Sequence, residues 1–359
     1  MSSPATITDV AKSAGVALGT VSRVLNNHSG VSPQIREQVM SAARRLGYQR
    51  LRQRKRPAAR GADGQHTGSV AVVIFGMEDT LVQLPIVSSA LQGIERALAA
   101  SGRSLILANI ARGDAPPPFL REGQVQGLIL KGPNQGRLPD LKDNELLREL
   151  YGLPRVWLMG RLPGARGDHS NFDTEAAGRI AAEHFHAKGH RRVAFMNPKP
   201  GQVQFERVKL AFATHSARLG QTYSLLEVPP PEELAWPLPA TTRQANVDRL
   251  VEQWTALPAS TRPTALFVPS DRTATQLYTA LARRKIRPGR DVSILSCNNE
   301  RSLLSHLHPT PSTIDVHAEM IGRRAVDLLL WRLANPGNLS DAQLLIEPDL
   351  VEGDSVATL

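Results

Sequence analysis

Six basic residues, Arg50, Arg52, Arg54, Lys55, Arg56 and Arg60, stand between Gln49 and Ala62 with no acid among them. Cations at this density neutralise phosphates, because each contact releases condensed counterions, so the segment has the electrostatic footprint of a polyanion binder. A solvated linker that merely carries charge has the same composition, and the neighbouring residues have to decide. Other groupings with chemical potential fail on spacing. His184, His186 and His190 lie close in sequence, yet positions i and i+2 point to different helix faces and Gly189 ends the helix before His190, which opposes a shared metal ion. Cys297 ends an apolar run with no histidine near it in sequence to activate it as a nucleophile. The chain has no GxGxxG, GxxxxGK, GxSxG or HExxH pattern. We therefore expect no cofactor, no metal and no enzymatic activity.

Length and composition bound the rest. The 359 residues suffice for two or three domains, and 41% hydrophobic with 21% charged residues is the balance of a soluble globular chain. No apolar run approaches the roughly 18 residues that span a bilayer, and Met1 to Val10 lacks the basic flank and apolar stretch of a secretion signal. The expected location is the cytoplasm, away from membranes. The one cysteine excludes an internal disulfide and any cysteine-based zinc module. Of the net charge of +10, residues 1–68 carry +8, from eleven basic and three acidic residues.

The elements around that charge read as three short helices. Thr8 can cap a first helix with Val10, Ala11 and Ala14 on one face and Gly15 at its end. A second, from about Leu18 to Asn26, turns Val21, Val24 and Leu25 inward and leaves Thr20, Ser22 and Arg23 outward. A third starts at Ser32-Pro33, a capping serine before a proline at the first helical position, and buries Ile35, Val39, Ala42 or Ala43, and Leu46. Two helices joined by a short turn containing Gly15 form a helix-turn-helix, whose second helix fits the DNA major groove.

The segments ITDVAKSAGVALGTVSRVLNN and VSPQIREQVMSAARRLGY closely resemble the headpiece of the lac-repressor and galactose-repressor (LacI/GalR) family of bacterial transcription regulators. The resemblance implies a DNA-binding headpiece over 1–48 with the second helix as its recognition helix. Leu18, Gly19 and Arg23 fall where the family reads base edges, and Thr20, Ser22 and Asn26 where it holds phosphate or pins the helix. Thr8 and Ser32 join the DNA-contacting set. Of these only Arg23 carries a fork able to bind guanine O6 and N7 together. Ala17 stands where the family often has a capping serine, which forgoes about 1 kcal/mol of helix stabilisation. The linker 49–68 departs from the family pattern. Leu51 is the one large apolar residue there that could wedge into a minor groove, and Pro57 breaks a helix through it. The expected role of the linker is a basic arm tracking phosphates.

Beyond Gly68 short apolar runs alternate with amphipathic stretches. SVAVVIF (69–75), SLILAN (104–109), GLILK (127–131), RVWLM (155–159), RVAFM (192–196), TALFV (264–268) and VSIL (292–295) read as buried parallel strands. Helical stretches fall near 85–101, 143–152, 173–188, 204–219, 243–257, 272–285 and 317–335. Repeated βα units predict two parallel sheets covered on both faces, with ligands at the carboxyl ends of strands.

This half resembles the same family through the blocks DTEAAGRIAAEHFHAKGHRRVAFMNP, ALFVPSD, RPGRDVSILSCNN and PSTIDVHAEMIGRRAVDLLLWRL. The resemblance implies, after an all-α helix-turn-helix headpiece, an α/β periplasmic-binding-protein-like core over 69–359. Its two Rossmann-like subdomains would comprise about 69–170 with 315–340, and 171–314 with 341–359. Arg207 matches the arginine that forks onto ligand hydroxyls or a carboxylate, with Leu210 and Ala211 in place of the Gly-aromatic pair that commonly follows it. Ser270 and Asp271 match a strand-end polar pair and Asn298 a ligand-binding amide; Leu84, outside these matches, is either a residue of the cleft wall or core. Trp236 or Phe75 would supply a ring to stack on a sugar. Such a set suits vicinal hydroxyls, hence a carbohydrate effector. The implied function is a repressor, a homodimer on a palindromic double-stranded DNA operator, controlled by that effector. A regulator that has lost small-molecule control, or a sugar receptor or enzyme on the same fold, are the alternatives.

Overall fold

The computed structural model describes residues 6–25, 31–46, 68–77, 84–111, 116–230, 234, 238 and 243–359. Leu51, Asn26 and Trp236, and most of the 49–68 linker, lie outside the described residues, as do the side chains of Ser22 and Leu25. The chain divides into two units, residues 1–66 and 67–359.

The first unit is all-α. Helix α1 (Ile7–Ala14) is capped by Thr6, not Thr8. The Thr6 hydroxyl accepts from the Asp9 N–H, and the Asp9 carboxylate accepts from the Thr6 N–H at 2.8 Å. Asp9 fixes the register of this capping box, since its side chain reaches back three residues. Thr8 is left exposed on the first turn. Gly15 ends the helix at φ +64°, a left-handed conformation suited to glycine. Helices α2 (Leu18–Leu25) and α3 (Pro33–Arg45) follow, the latter capped by Ser32, whose hydroxyl accepts from Ile35 N–H at 3.4 Å. Val10, Ala11, Val21, Val24, Val39, Ala42 and Ala43 form the core. Leu46, expected inside, is 39% exposed because it caps α3 and the helix ends before turning it inward.

The second unit begins β1 (Ser69–Phe75), α4 (Pro85–Ala100), β2 (Ser104–Ile110), α5 (Pro118–Arg121), β3 (Val125–Lys131), α6 (Glu145–Tyr151), β4 (Arg155–Leu158) and β5 (Asp168–Phe172). It continues through α7 (Thr174–Ala187), β6 (Arg192–Asn197), α8 (Val203–Arg218), β7 (Thr222–Glu227), α9 (Gln244–Ala256) and β8 (Ala265–Phe267). The last elements are α10 (Asp271–Arg283), β9 (Ser293–Cys297), α11 (Arg301–Leu304), β10 (Ser312–Asp315), α12 (Ala318–Ala334), β11 (Gln343–Ile346) and β12 (Asp349–Val351). One sheet has the order β11-β5-β4-β3-β1-β2 and the other β12-β10-β9-β8-β6-β7. All pairings are parallel except β10 with β12. The fold is thus the periplasmic-binding-protein-like pair of α/β lobes.

The chain crosses between lobes after β5, after β10 and between β11 and β12. Residues 341–346, expected in the second lobe, belong to the first, because β11 pairs in parallel with β5. The alternating exposure of Gln343 to Ile346 marks a half-buried edge strand, whose apolar run of only three residues, Leu344 to Ile346, is too short to reveal it. β2 likewise is an edge strand, only half buried, not the fully buried strand its composition suggests. β5 is the opposite case: DHSNF is buried throughout although polar, with Asp168 and Ser170 partnered by residues distant in sequence and His169 Nε2 and Asn171 Oδ1 left without a partner among the described residues. Asp168 accepts from Arg332 Nε at 2.7 Å, and the Ser170 hydroxyl donates to the Ile321 carbonyl at 2.9 Å.

Helix–helix contact in each lobe depends on small residues. α4 meets α12 at Gly93 and Gly322, where a Cβ would stand 2.0 Å from the Glu319 carbonyl oxygen and 1.9 Å from that of Ala90. α7 meets α8 at Gly178, where a Cβ would lie 2.5 Å from that of Ala211.

Candidate functional site

Two surfaces carry the candidate residues, one on each unit. On the helical unit, α2 turns Val21 and Val24 into the core, so positions 18, 19 and 23 must face outward. Leu18 is 49% exposed, a costly placement for a leucine unless something covers it, and Gly19 and Arg23 are exposed beside it. Thr20 is half buried. Ala17 supplies no side-chain cap, and its carbonyl accepts the first α2 bonds from Thr20 and Val21 N–H groups. Thr8 and Ser32 are exposed, with the Ser32 hydroxyl already engaged in capping α3.

On the core, a cavity of about 150 Å³ lies between the lobes. From the first lobe come Leu84, Ile86, Lys131, Asn134, Met159 and Phe172; from the second, Lys199, Gln204, Phe205, Val208, Ser270, Arg272, Asn298 and Glu300. The strands deliver these residues at their carboxyl ends, where the parallel βα topology leaves the loops free to turn into the cleft. Three helices, α4, α8 and α10, begin at its wall, and the partial positive charge at a helix N-terminus acts there.

Leu84, Ser270 and Asn298 line the cavity. Ser270 also caps α10, its hydroxyl accepting from Thr273 N–H at 3.2 Å. Asn298 holds a left-handed φ of +115°, and its amide donates to Glu300 Oε2 at 3.2 Å. Arg207 is not in the cavity. It is exposed, and the α8 residues facing inward are Gln204, Phe205 and Val208. The helix phase follows from Ala211, which must press on Gly178, together with Phe212, which is buried; counting back four from Phe212 gives Val208, and Arg207 falls to the side of that face. Asp271 is also outside the cavity wall and has no exposure. Its carboxylate accepts from Ser296 Oγ at 2.5 Å, Thr313 Oγ1 at 2.8 Å and the Glu300 N–H at 2.6 Å. Burial pushes its pKa up to about 7. Asp271 therefore supports the Asn298–Glu300 turn from behind. Phe75 is buried against Trp157, and among the described residues the rings at the cavity are Phe172 and Phe205.

Lys131 and Glu300 were missed by sequence reasoning. Lys131 ends the run GLILK, a charge at the carboxyl end of a buried strand, which was the available signal. Glu300 crosses the cleft: its Oε1 accepts from the Ile86 N–H at 3.0 Å. Leu84 has no side-chain cap to offer α4, so a carboxylate of the opposite lobe satisfies one of the helix's orphan donors. Further bonds across the lobes run from Val203 N–H to the Asn134 carbonyl at 2.7 Å, from Gln135 Nε2 to the Pro200 carbonyl at 2.6 Å, and from Leu238 N–H to the Gly76 carbonyl at 2.9 Å. These bonds hold the lobes closed around the cavity.

The remaining candidates are structural. His190 bonds to Thr264 Oγ1 at 2.8 Å and the Ala357 carbonyl at 3.1 Å, and no group of three metal-binding side chains forms among the described residues. The buried Cys297 thiol is pushed well above its ordinary pKa by burial and neighbouring carboxylates, which disfavours the thiolate a nucleophile needs. No helix among the described residues is long and apolar enough to cross a membrane.

Comparison with known proteins bears on both surfaces. Residues 6–50 match the model of bacterial regulatory proteins of the lacI family, and residues 182–356 that of the periplasmic binding protein-like domain. The HTH-type transcriptional repressor PurR of Erwinia tasmaniensis is 27% identical over 98% of this chain and 97% of its own length. The ribose operon repressor of Escherichia coli K12 is 25% identical over 98% and 99%. Among solved structures, the lac repressor dimer bound to operator and the anti-inducer ONPF shares the fold with a TM-score of 0.62 at 23% identity, covering 99% of this chain and 100% of that one. A LacI family regulator from Enterococcus faecium with bound ribose has a TM-score of 0.62 at 20% identity, covering 81% and 99%.

Proposed function

The chain belongs to the LacI family of bacterial regulatory proteins, a helix-turn-helix DNA-binding domain joined to a periplasmic-binding-protein-like core, and from that premise we propose that it is a repressor controlled by a small ligand. It binds a palindromic operator as a homodimer, placing two recognition helices about 34 Å, one DNA turn, apart. The ligand, a carbohydrate or carbohydrate derivative, sits between the lobes. The observation that supports this reading is the pairing in one chain of an exposed α2 face, Leu18, Gly19 and Arg23, with a closed cleft of ligand size whose walls come from different lobes.

A ligand touching both walls stabilises the closed arrangement over any in which they separate. That differential affinity is the only source from which a change in operator binding can come, typically about 1 to 3 kcal/mol. The alternative, a regulator without small-molecule control, draws on the displacement of Arg207 from the cleft, but the cavity keeps polar groups from both lobes.

Arg23→Ala is expected to weaken operator binding by about 1 to 3 kcal/mol, the worth of one bidentate base contact. Fluorescence anisotropy on DNA from upstream of the protein's own gene, at fixed salt, measures it. Non-specific DNA should be affected far less, since loss of one charge lowers the salt slope by about one. Equal losses on both DNAs would remove Arg23 from base reading. The same titration with a panel of sugars tests ligand control, and operator binding indifferent to all of them would favour the alternative.

A further inference from the structure

Lys131 is 6% exposed at the carboxyl end of β3 and lines the cavity. Its ammonium donates to the Gly132 carbonyl at 2.6 Å and to Asn134 Oδ1 at 3.3 Å, both neutral acceptors. No carboxylate of the described residues lies within ion-pair distance of it. Buried cations are ordinarily paired, and one that is not must lose its proton or find an anion. Burial, with the charge of Lys199 adding to it, draws the pKa of Lys131 down to about 7, as expected of an ammonium lacking a counter-charge.

The surroundings favour the anion. Lys199 and Arg272 reach the same cavity from the second lobe. The starts of α4, α8 and α10 converge on it, adding positive potential. Glu300 is the one acid among the described lining residues, and both its oxygens are engaged, by the Ile86 N–H and the Asn298 amide. Its charge is thus shared between the α4 terminus and the nearby Arg272, which leaves Lys131 and Lys199 as the cations of the cavity.

We infer that the ligand of the cleft is a small anion, a phosphate ester or a carboxylate, whose charged group is neutralised by Lys131 of one lobe together with Lys199 of the other. This deepens the regulator reading and rests on it for its consequence, since an anion held by cations of both lobes favours their closed arrangement. The apolar wall of Leu84, Met159, Phe172, Phe205 and Val208 takes the uncharged part of the same molecule.

The experiment is a thermal-shift and calorimetric titration of the full chain with ribose 5-phosphate, glucose 6-phosphate, gluconate and inorganic phosphate, beside neutral ribose and glucose, at constant ionic strength. Two variants accompany the wild type. Lys131→Gln keeps a donor for the Gly132 and Asn134 oxygens without the charge, and Lys131→Met removes both. At least one anion should bind the wild type at least tenfold more tightly than its neutral parent. Both variants should lose that preference, the anion then binding no more tightly than its neutral parent to the same variant, and the phosphate and carboxylate arms tell the two anion sources apart. A neutral sugar binding as tightly as its anion, a Gln variant that keeps the anion preference, or no stabilisation by any anion would each overturn the inference. Operator binding measured on the same samples is a separate readout: if the wild type fails to bind operator yet shows Lys131-dependent anion binding, the regulator reading falls and this one stands.

Discussion

An Asp271→Ala chain is expected to lose about 3 kcal/mol of stability in the core unit, measured by urea denaturation at pH 7.5. The side chain has no exposure and accepts from three donors, the hydroxyls of Ser296 on β9 and Thr313 on β10 and the backbone N–H of Glu300. Alanine leaves them facing a void too enclosed for them to recover water, and each unsatisfied group costs about 1 to 3 kcal/mol, tempered here because hydroxyls can rotate to other acceptors. The loss reaches the cleft as well. Without its carboxylate the Glu300 turn is no longer held, and Glu300 is what caps α4 from the opposite lobe. Ligand affinity should fall together with stability.

The Asn variant separates shape from charge. Burial, reinforced by the nearby Glu300 charge and opposed by the three donors, raises the folded pKa of Asp271 from 3.8 to about 7. A raised folded pKa means that the native state holds its proton where the unfolded chain has lost it. The associated stabilisation is complete below about pH 4 and is lost as the pH rises through about 7. Asp271→Asn has no such titration. The stability of the wild type relative to the Asn variant should therefore decline between pH 4.5 and 7.5, with other carboxylates contributing equally to both chains. A constant difference across that range would show that Asp271 stays ionised in the folded state.

Gly322→Ala is expected to cost about 3 kcal/mol, at the upper end of what one inserted methyl costs in a packed interior. Its Cβ would stand 1.9 Å from the Ala90 carbonyl oxygen, an atom of helix backbone that no rotamer change can move aside. Gly93→Ala presents the mirror problem, 2.0 Å from the Glu319 carbonyl oxygen. Both are relieved by the same motion, a separation of α4 from α12, so the double variant should cost less than the two single changes together. Full additivity would show that the helices respond locally. Because Leu84 to Val87 at the start of α4 form part of the cavity wall, separation of these helices should also weaken ligand binding.

Much of this protein was legible in its sequence because the relevant signals are local. The helix-turn-helix rests on short-range periodicity, a glycine at a left-handed position and a serine-proline start, and each is decided within a few residues. The apolar runs of β1, β3, β4, β6, β8 and β9 were visible because strands buried on both faces tolerate few polar residues. β5 and β11 were hidden for complementary reasons. β5 is buried yet polar, its Asp168 and Ser170 held by Arg332 and the Ile321 carbonyl far along the chain, and β11 lies at an edge where half its residues face water.

The sequence by itself determined the fold class, the helix-turn-helix with its outward Arg23, and the placing of candidate cleft groups such as Ser270 and Asn298 at strand ends. Only the tertiary structure decided which side chains reach the cleft. Arg207 and Val208 are neighbours in the chain, and the packing of both Ala211 and Phe212 against another helix turns one outward and the other inward. Asp271 was drawn behind the wall by hydroxyls of β9 and β10, while Lys131, an unremarked end of a strand, became a cation without a described counter-charge in the cavity. A residue's type is local information, but its burial and its partners are decided by how other elements pack on it, and those settle what its charge can do.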